Sequence, residues 1–128
     1  MRFWVNHDLD HLIWSWHNMI HLFGSMLAAA VLTFKIIIYL STLWAPGMAI
    51  LFGTLIGSLC AWVIGILWDV GDGFKPCWKK GLGKPWIIQQ LFYSDGFSLQ
   101  DVFVWDLGGS LTGAGLGVAI YYLITFII

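Results

Sequence analysis

Charge is scarce in this chain. Only 10% of its residues are Asp, Glu, Lys or Arg against 59% hydrophobic ones, and the mean hydropathy of +0.82 lies far above that of a soluble domain. The formal net charge is −1 and no long basic block occurs. Nucleic acid is therefore excluded as a partner, because neutralising phosphates takes clustered Lys and Arg. Two cysteines are too few for a disulfide framework; Cys60 lies in an apolar run and Cys77 in a polar one, so both read as free thiols. The opening MRFWVNHDLDH interrupts any apolar core with His and Asp, and no lipoprotein-type Cys follows, so no cleaved leader is expected. A nucleophile elbow, a phosphate loop and a Cys-His pair are also missing, which leaves no ground for reading the chain as an enzyme.

What the chain does have is three long apolar runs, at about 19–44, 48–68 and 102–128, each long enough for the roughly 20 residues that cross a bilayer core. The expected fold is all-α: a single membrane domain over residues 1–128 with three transmembrane helices and an amphipathic N-terminal segment. Ala45-Pro46-Gly47 separates the first two runs, where Pro cannot continue a helix and Gly permits reversal, so these helices form an antiparallel hairpin. The only long polar stretch, Asp69 to Gln100, lies before the third run and carries Lys75, Lys79, Lys80 and Lys84. By the positive-inside rule that loop and the N-terminus are cytoplasmic and the C-terminus is outside, in a multi-pass protein of the bacterial inner membrane. Within the loop, KPWIIQQLFY (Lys84–Tyr93) has Pro at a first helical position and predicts a short interfacial helix.

Small residues form two stripes. Ala49, Gly53, Gly57, Ala61 and Gly65 recur at four-residue spacing in the second run, as do Gly109, Gly113 and Gly117 in the third. Close approach through small residues is the usual packing solution in lipid, so the second and third helices are expected to meet through these faces. Each stripe ends in an acid, Asp69 beyond Gly65 and Asp106 before Gly109, which brings two carboxylates together at the cytoplasmic end.

The first helix supplies the complement: His7, Asp10, His11, His17, Asn18, His21, Gly24 and Ser25 share one arc of about 140°. His7 and His11 are compatible with a membrane surface or with the inside of an assembly. His21 lies at the start of a span, where ionisable side chains face a protein interior or a wet cavity, and the hairpin sets it level with Asp69. Ser98-x-x-Asp101 reads as a capping box, placing Asp101 outside the pocket as a helix cap. Asp106 lies too deep for capping. The expected pocket is thus His21, Asp69, Asp72 and Asp106 with His17 alongside, and Lys75, Lys79, Lys80 and Lys84 stand ready for an anionic lipid head group. A His beside carboxylates suits a general base, a proton-linked switch or a metal site. The spacing His17-x-x-x-His21 is the metal pairing to consider, but it lacks the Glu of a metalloprotease helix and any Cys pair, so no cofactor is expected. Most of the nine tryptophans read as interfacial belts.

His21-Leu22-Phe23-Gly24, Asp69-Val70-Gly71-Asp72 and Gly96-Phe97-Ser98-Leu99-Gln100-Asp101, followed by Gly109 and Gly113, resemble the VanZ-like and YfiM-like group of small bacterial membrane proteins. The resemblance covers most of the chain, and GFSLQD is its most specific piece. It implies a cell-envelope role, glycopeptide (teicoplanin) resistance being the best-known association of the group, and no particular reaction. Two functions follow as expectations. One is interaction of the polar pocket with envelope lipids. The other is that of an accessory subunit in a heteromeric membrane complex, to which the small bundle and the ending IYYLITFII, without a polar anchor, are suited.

Overall fold

A computed structural model describes residues 16–94 and 96–128, with side chains from Asn18 onward. His7, Asp10, His11 and the side chain of His17 lie outside the described residues. The elements are helix α1 (Trp16–Ser41), helix α2 (Pro46–Phe74), a 3-10 turn (Trp78–Gly81), a short helix α3 (Trp86–Phe92) and helix α4 (Leu107–Tyr122). Helix α4 is extended at both ends by π-helical turns, Asp101–Asp106 and Leu123–Ile127. Among the described residues, three helices are long and apolar enough to cross a membrane, Asn18–Ser41, Pro46–Phe74 and Asp101–Ile127. The all-α, three-span architecture expected from the apolar runs is therefore present, including the short helix in the loop. Helix α2 runs past the expected end at residue 68 to Phe74, because Asp69 and Asp72 are buried inside the bundle and no longer mark a water boundary.

The hairpin forms as its sequence dictates. Helix α1 ends with Leu43 and Trp44 both donating to the Leu40 carbonyl, at 3.0 and 2.8 Å. Ala45 is extended, and Pro46 opens α2 where its missing N–H costs nothing. Trp44 then meets Phe52 edge-on, with ring centroids 5.4 Å apart, across the reversal.

The spacing predicts that the two glycine stripes face each other; only Gly65 does meet the third span, at Asp106, and the other stripe glycines face α1. A Cβ on Gly53 would stand 3.2 Å from Ile37 Cα, and one on Gly57 2.7 Å from Thr33 Cα. On the other side, a Cβ on Gly109 or Gly113 would collide with the carbonyl oxygens of Leu22 and Met26, and one on Gly117 would lie 2.7 Å from the Ala30 oxygen. Helix α1 is thus clasped between α2 and α4, and its contacts with each exceed those between α2 and α4. The physical reason is volume. Two smooth faces pressed together enclose few side-chain atoms, whereas α1 offers the buried row Ser25, Ala29, Thr33 and Ile37, whose side chains fill what the glycines leave open. At Thr33 both stripes converge, Gly57 on one side and Gly117 on the other. Outward-facing Leu27, Leu51, Leu55, Leu59, Leu67 and Leu111 are exposed, as side chains against lipid are.

The polar loop is fastened beneath the end of α2. Ser94 Oγ donates to the Asp72 carbonyl at 2.7 Å, the Gly96 N–H donates to Ser94 Oγ at 2.9 Å, and the Ser94 N–H reaches the Pro76 carbonyl at 3.0 Å. Gly96 has φ +117°, a left-handed conformation that side chains disfavour and that turns the chain toward Ser98. These ties fix where the third span begins, and so where its acids lie.

Candidate functional site: a buried histidine among four aspartates

His21 and the aspartates Asp69, Asp72, Asp101 and Asp106 are each no more than 5% exposed and meet at one point in the bundle. His21 is contributed by α1, and Asp69 and Asp72 by the last turns of α2, three residues apart and so on one face. Asp101 and Asp106 come from the π-helical turn that opens the third span. In a regular α-helix, side chains five apart diverge by about 140°. The wider i→i+5 turn brings them to the same side, and π turns recur at functional sites for such reasons. The indole N–H of Trp62 donates to the Val102 carbonyl at 2.8 Å and holds this turn against α2.

His21 Nδ1 lies 3.0 Å from Asp106 Oδ1, which also accepts a hydrogen bond from Ser25 Oγ at 2.9 Å. The opposite ring nitrogen, Nε2, faces Asp69 Oδ1 at 3.7 Å, Asp101 Oδ2 at 3.8 Å and Asp72 Oδ2 at 3.9 Å. Asp72 is in turn bonded through its other oxygen to Lys75 Nζ at 2.5 Å, and that ammonium sits 4.3 Å above the Trp68 ring. Gly65 makes the arrangement possible: a Cβ there would lie 2.7 Å from Asp106 Cγ, so only glycine leaves room for that carboxylate.

Of the expected pocket, His21, Asp69, Asp72 and Asp106 come together. Asp101 requires a correction. Its N–H does donate to Ser98 Oγ at 3.3 Å, so Ser98 acts as the cap residue. The Asp101 carboxylate, however, is inside the pocket beside His21, because the π turn rotates it inward. Lys75 also differs from the expectation of a head-group lysine, being engaged by Asp72, whereas Lys79, Lys80 and Lys84 are exposed. Ser25 belongs to the polar arc but not to the expected pocket; its position one helical turn after His21 is the signal for its place there. Trp62, which no interfacial belt accounts for, was the corresponding signal for the π turn.

Four carboxylates around one imidazole and one ammonium leave an excess of negative charge in a place where even a single ion is costly. Such a cluster is suited to hold a cation or protons. Two cavities among the described residues reach it. One of about 250 Å³ lies between α1 and α2, walled by Ile20, Ala28, Ala61 and Ile64 with His21 and Asp106 at its floor. The other, about 210 Å³, lies on the loop side between His21, Asp72, Trp86, Gln90 and Tyr93. No family model, curated protein or solved structure matches this chain.

Proposed function

We propose that this chain is a multi-pass protein of the bacterial inner membrane that binds an envelope lipid at the cytoplasmic face, its chain in the groove between α1 and α2 and its head group on the loop side. The observation that carries this reading is that two largely apolar cavities share His21 as a common wall, and the one on the loop side adds Asp72 and Gln90 to its lining. The first, walled by Ile20, Ala28, Ala61 and Ile64, has the apolar lining that suits an acyl or isoprenoid chain. The second is lined by Trp86 and Tyr93 as well as by Asp72, and the exposed Lys79, Lys80 and Lys84 of the same loop attract anionic head groups. The resemblance to VanZ-like proteins supports the same envelope role.

The test is native mass spectrometry of the chain released from mild detergent. Wild-type protein should carry a phospholipid or polyprenyl-phosphate adduct. Gly24→Leu should lose it while remaining folded, because Gly24 lines the apolar cavity and a Cβ there meets nothing within 4 Å. An adduct unchanged by Gly24→Leu would dismiss the groove as the binding place. A stoichiometric protein partner in place of lipid would favour the accessory-subunit reading instead.

The orientation rests on the lysines between α2 and α4 and is tested separately. A maleimide that cannot cross the membrane should leave Cys77 unlabelled in intact cells and label it once the cells are opened. Cys60, on the exposed surface of α2 at mid-span, should react slowly in both cases because lipid covers it. Labelling of Cys77 from outside would invert the topology.

A further inference from the structure

We infer that His21, Asp69 and Asp101 form a binding site for one divalent transition-metal ion, of the zinc or manganese class. The inference does not depend on whether a lipid binds. One nitrogen of His21 and one carboxylate oxygen each of Asp69 and Asp101 lie within 4.8 Å of one another, all three residues buried. In a tetrahedral site with bonds of about 2.0–2.2 Å, ligand atoms stand roughly 3.3–3.6 Å apart. The separations of 3.7 and 3.8 Å from Nε2 to Asp69 and Asp101 are within a few tenths of that and too long for hydrogen bonds.

Two further features point to an ion. Asp69 is fully buried, yet neither of its oxygens accepts a hydrogen bond from any described residue, although its Oδ1 is turned toward His21 Nε2. A buried carboxylate without donors is costly, and a cation between it and Nε2 removes that cost. On the far side of the imidazole, Asp106 Oδ1 faces Nδ1 at 3.0 Å. A carboxylate there holds the proton on Nδ1 and leaves the Nε2 lone pair toward the acids, as in carboxylate–histidine–metal arrangements. Ser25 fixes that carboxylate in turn. The imidazole favours a transition metal over calcium or magnesium, which take oxygen ligands. Asp72, bonded to Lys75, borders both the site and the loop-side cavity, which gives an ion a way in.

The test uses the full chain, purified in detergent without a histidine tag and stripped with a chelator. Zn²⁺ or Mn²⁺ alone is then titrated, with bound metal measured by elemental mass spectrometry and stability by thermal unfolding. One ion per chain should bind, and the melting temperature should rise with ion concentration. Asp69→Asn and Asp101→Asn, each isosteric with the native side chain, should abolish saturable binding, and Asp106→Asn should weaken it about 10–100-fold. A chain with His7 and His11 both changed to Gln should bind as wild type does, which keeps the question decidable if the aspartate variants fail to fold. Absence of stoichiometric binding by wild type, uptake unchanged in Asp69→Asn and Asp101→Asn, or uptake lost in the double His variant would overturn the site, the last two marking an adventitious ion only.

Discussion

Gly113→Leu should remove nearly all folded protein from the membrane, and Gly57→Leu most of it, while Gly115→Leu should leave the yield close to wild type. The expectation rests on what each new side chain meets. At Gly113 a Cβ would overlap the Met26 carbonyl oxygen and stand 2.8 Å from its carbon and from Met26 Cα. At Gly57 the neighbours are Thr33 Cα and N, at 2.7 and 2.8 Å. These are backbone atoms of a helix, which cannot rotate aside as a side chain can. Helix α1 is held from both flanks, so retreat from α4 drives it into α2 and retreat from α2 drives it into α4. Overpacking of this kind costs about 1–3 kcal/mol where side chains can yield and more where backbone must move, against a total stability of about 5–15 kcal/mol. Gly115 points to lipid with nothing within 4 Å. Fluorescence-detected size exclusion of a fusion protein, followed by thermal unfolding of whatever remains monodisperse, would measure the series. Equal yields at all three positions would mean that α1 is not clasped by the two stripes.

Asp106 should show opposite effects for two replacements of similar size. Asp106→Leu leaves the Ser25 hydroxyl and the His21 Nδ1–H inside the bundle without their shared acceptor, at about 1–3 kcal/mol for each group. The folded fraction should fall sharply. Asp106→Asn keeps an oxygen for both donors and removes one negative charge from a cluster of four carboxylates. Its new amide N–H group takes the place of Oδ2, which accepts no hydrogen bond from any described residue, and it can donate to neighbouring Asp69. In the metal-free chain Asp106→Asn should therefore be at least as stable as wild type, although it impairs what the site does. Melting temperatures in the presence of a chelator decide the matter, and a large destabilisation by Asp106→Asn would show that the negative charge itself is needed for folding.

Why such a cluster exists bears on the choice between readings. Polar residues that serve only to join helices need one partner each, and bonds of that kind do occur here, such as Ser41 Oγ with Tyr121 hydroxyl at 3.2 Å near the opposite end of the bundle. The His21 site is different in kind. It gathers more acids than its cations balance, and it adjoins two cavities. A role limited to holding helices together would not call for either.

The sequence by itself determined the three spans, the hairpin at Pro46, the short loop helix and four residues of the site, His21 with Asp69, Asp72 and Asp106. These are legible because they follow from local properties: length of apolar run, the missing N–H of proline, and helical spacing that puts Gly65, Asp69 and Asp72 in register. Which faces pack was decided only by the tertiary structure. A glycine stripe states that something approaches closely but carries no information about what, since smoothness is the absence of a side chain. Only the assembled bundle shows that α1, with Thr33 and Ile37 as its projections, fills both grooves. The position of Asp101 was likewise beyond local reading. Ser98 and Asp101 form a capping pattern on any α-helix, and it is the π turn, held by Trp62 from across the bundle, that swings the carboxylate inward to His21. A change of helical pitch over six residues depends on a hydrogen bond between residues 40 apart in the chain, and no local spacing rule contains it.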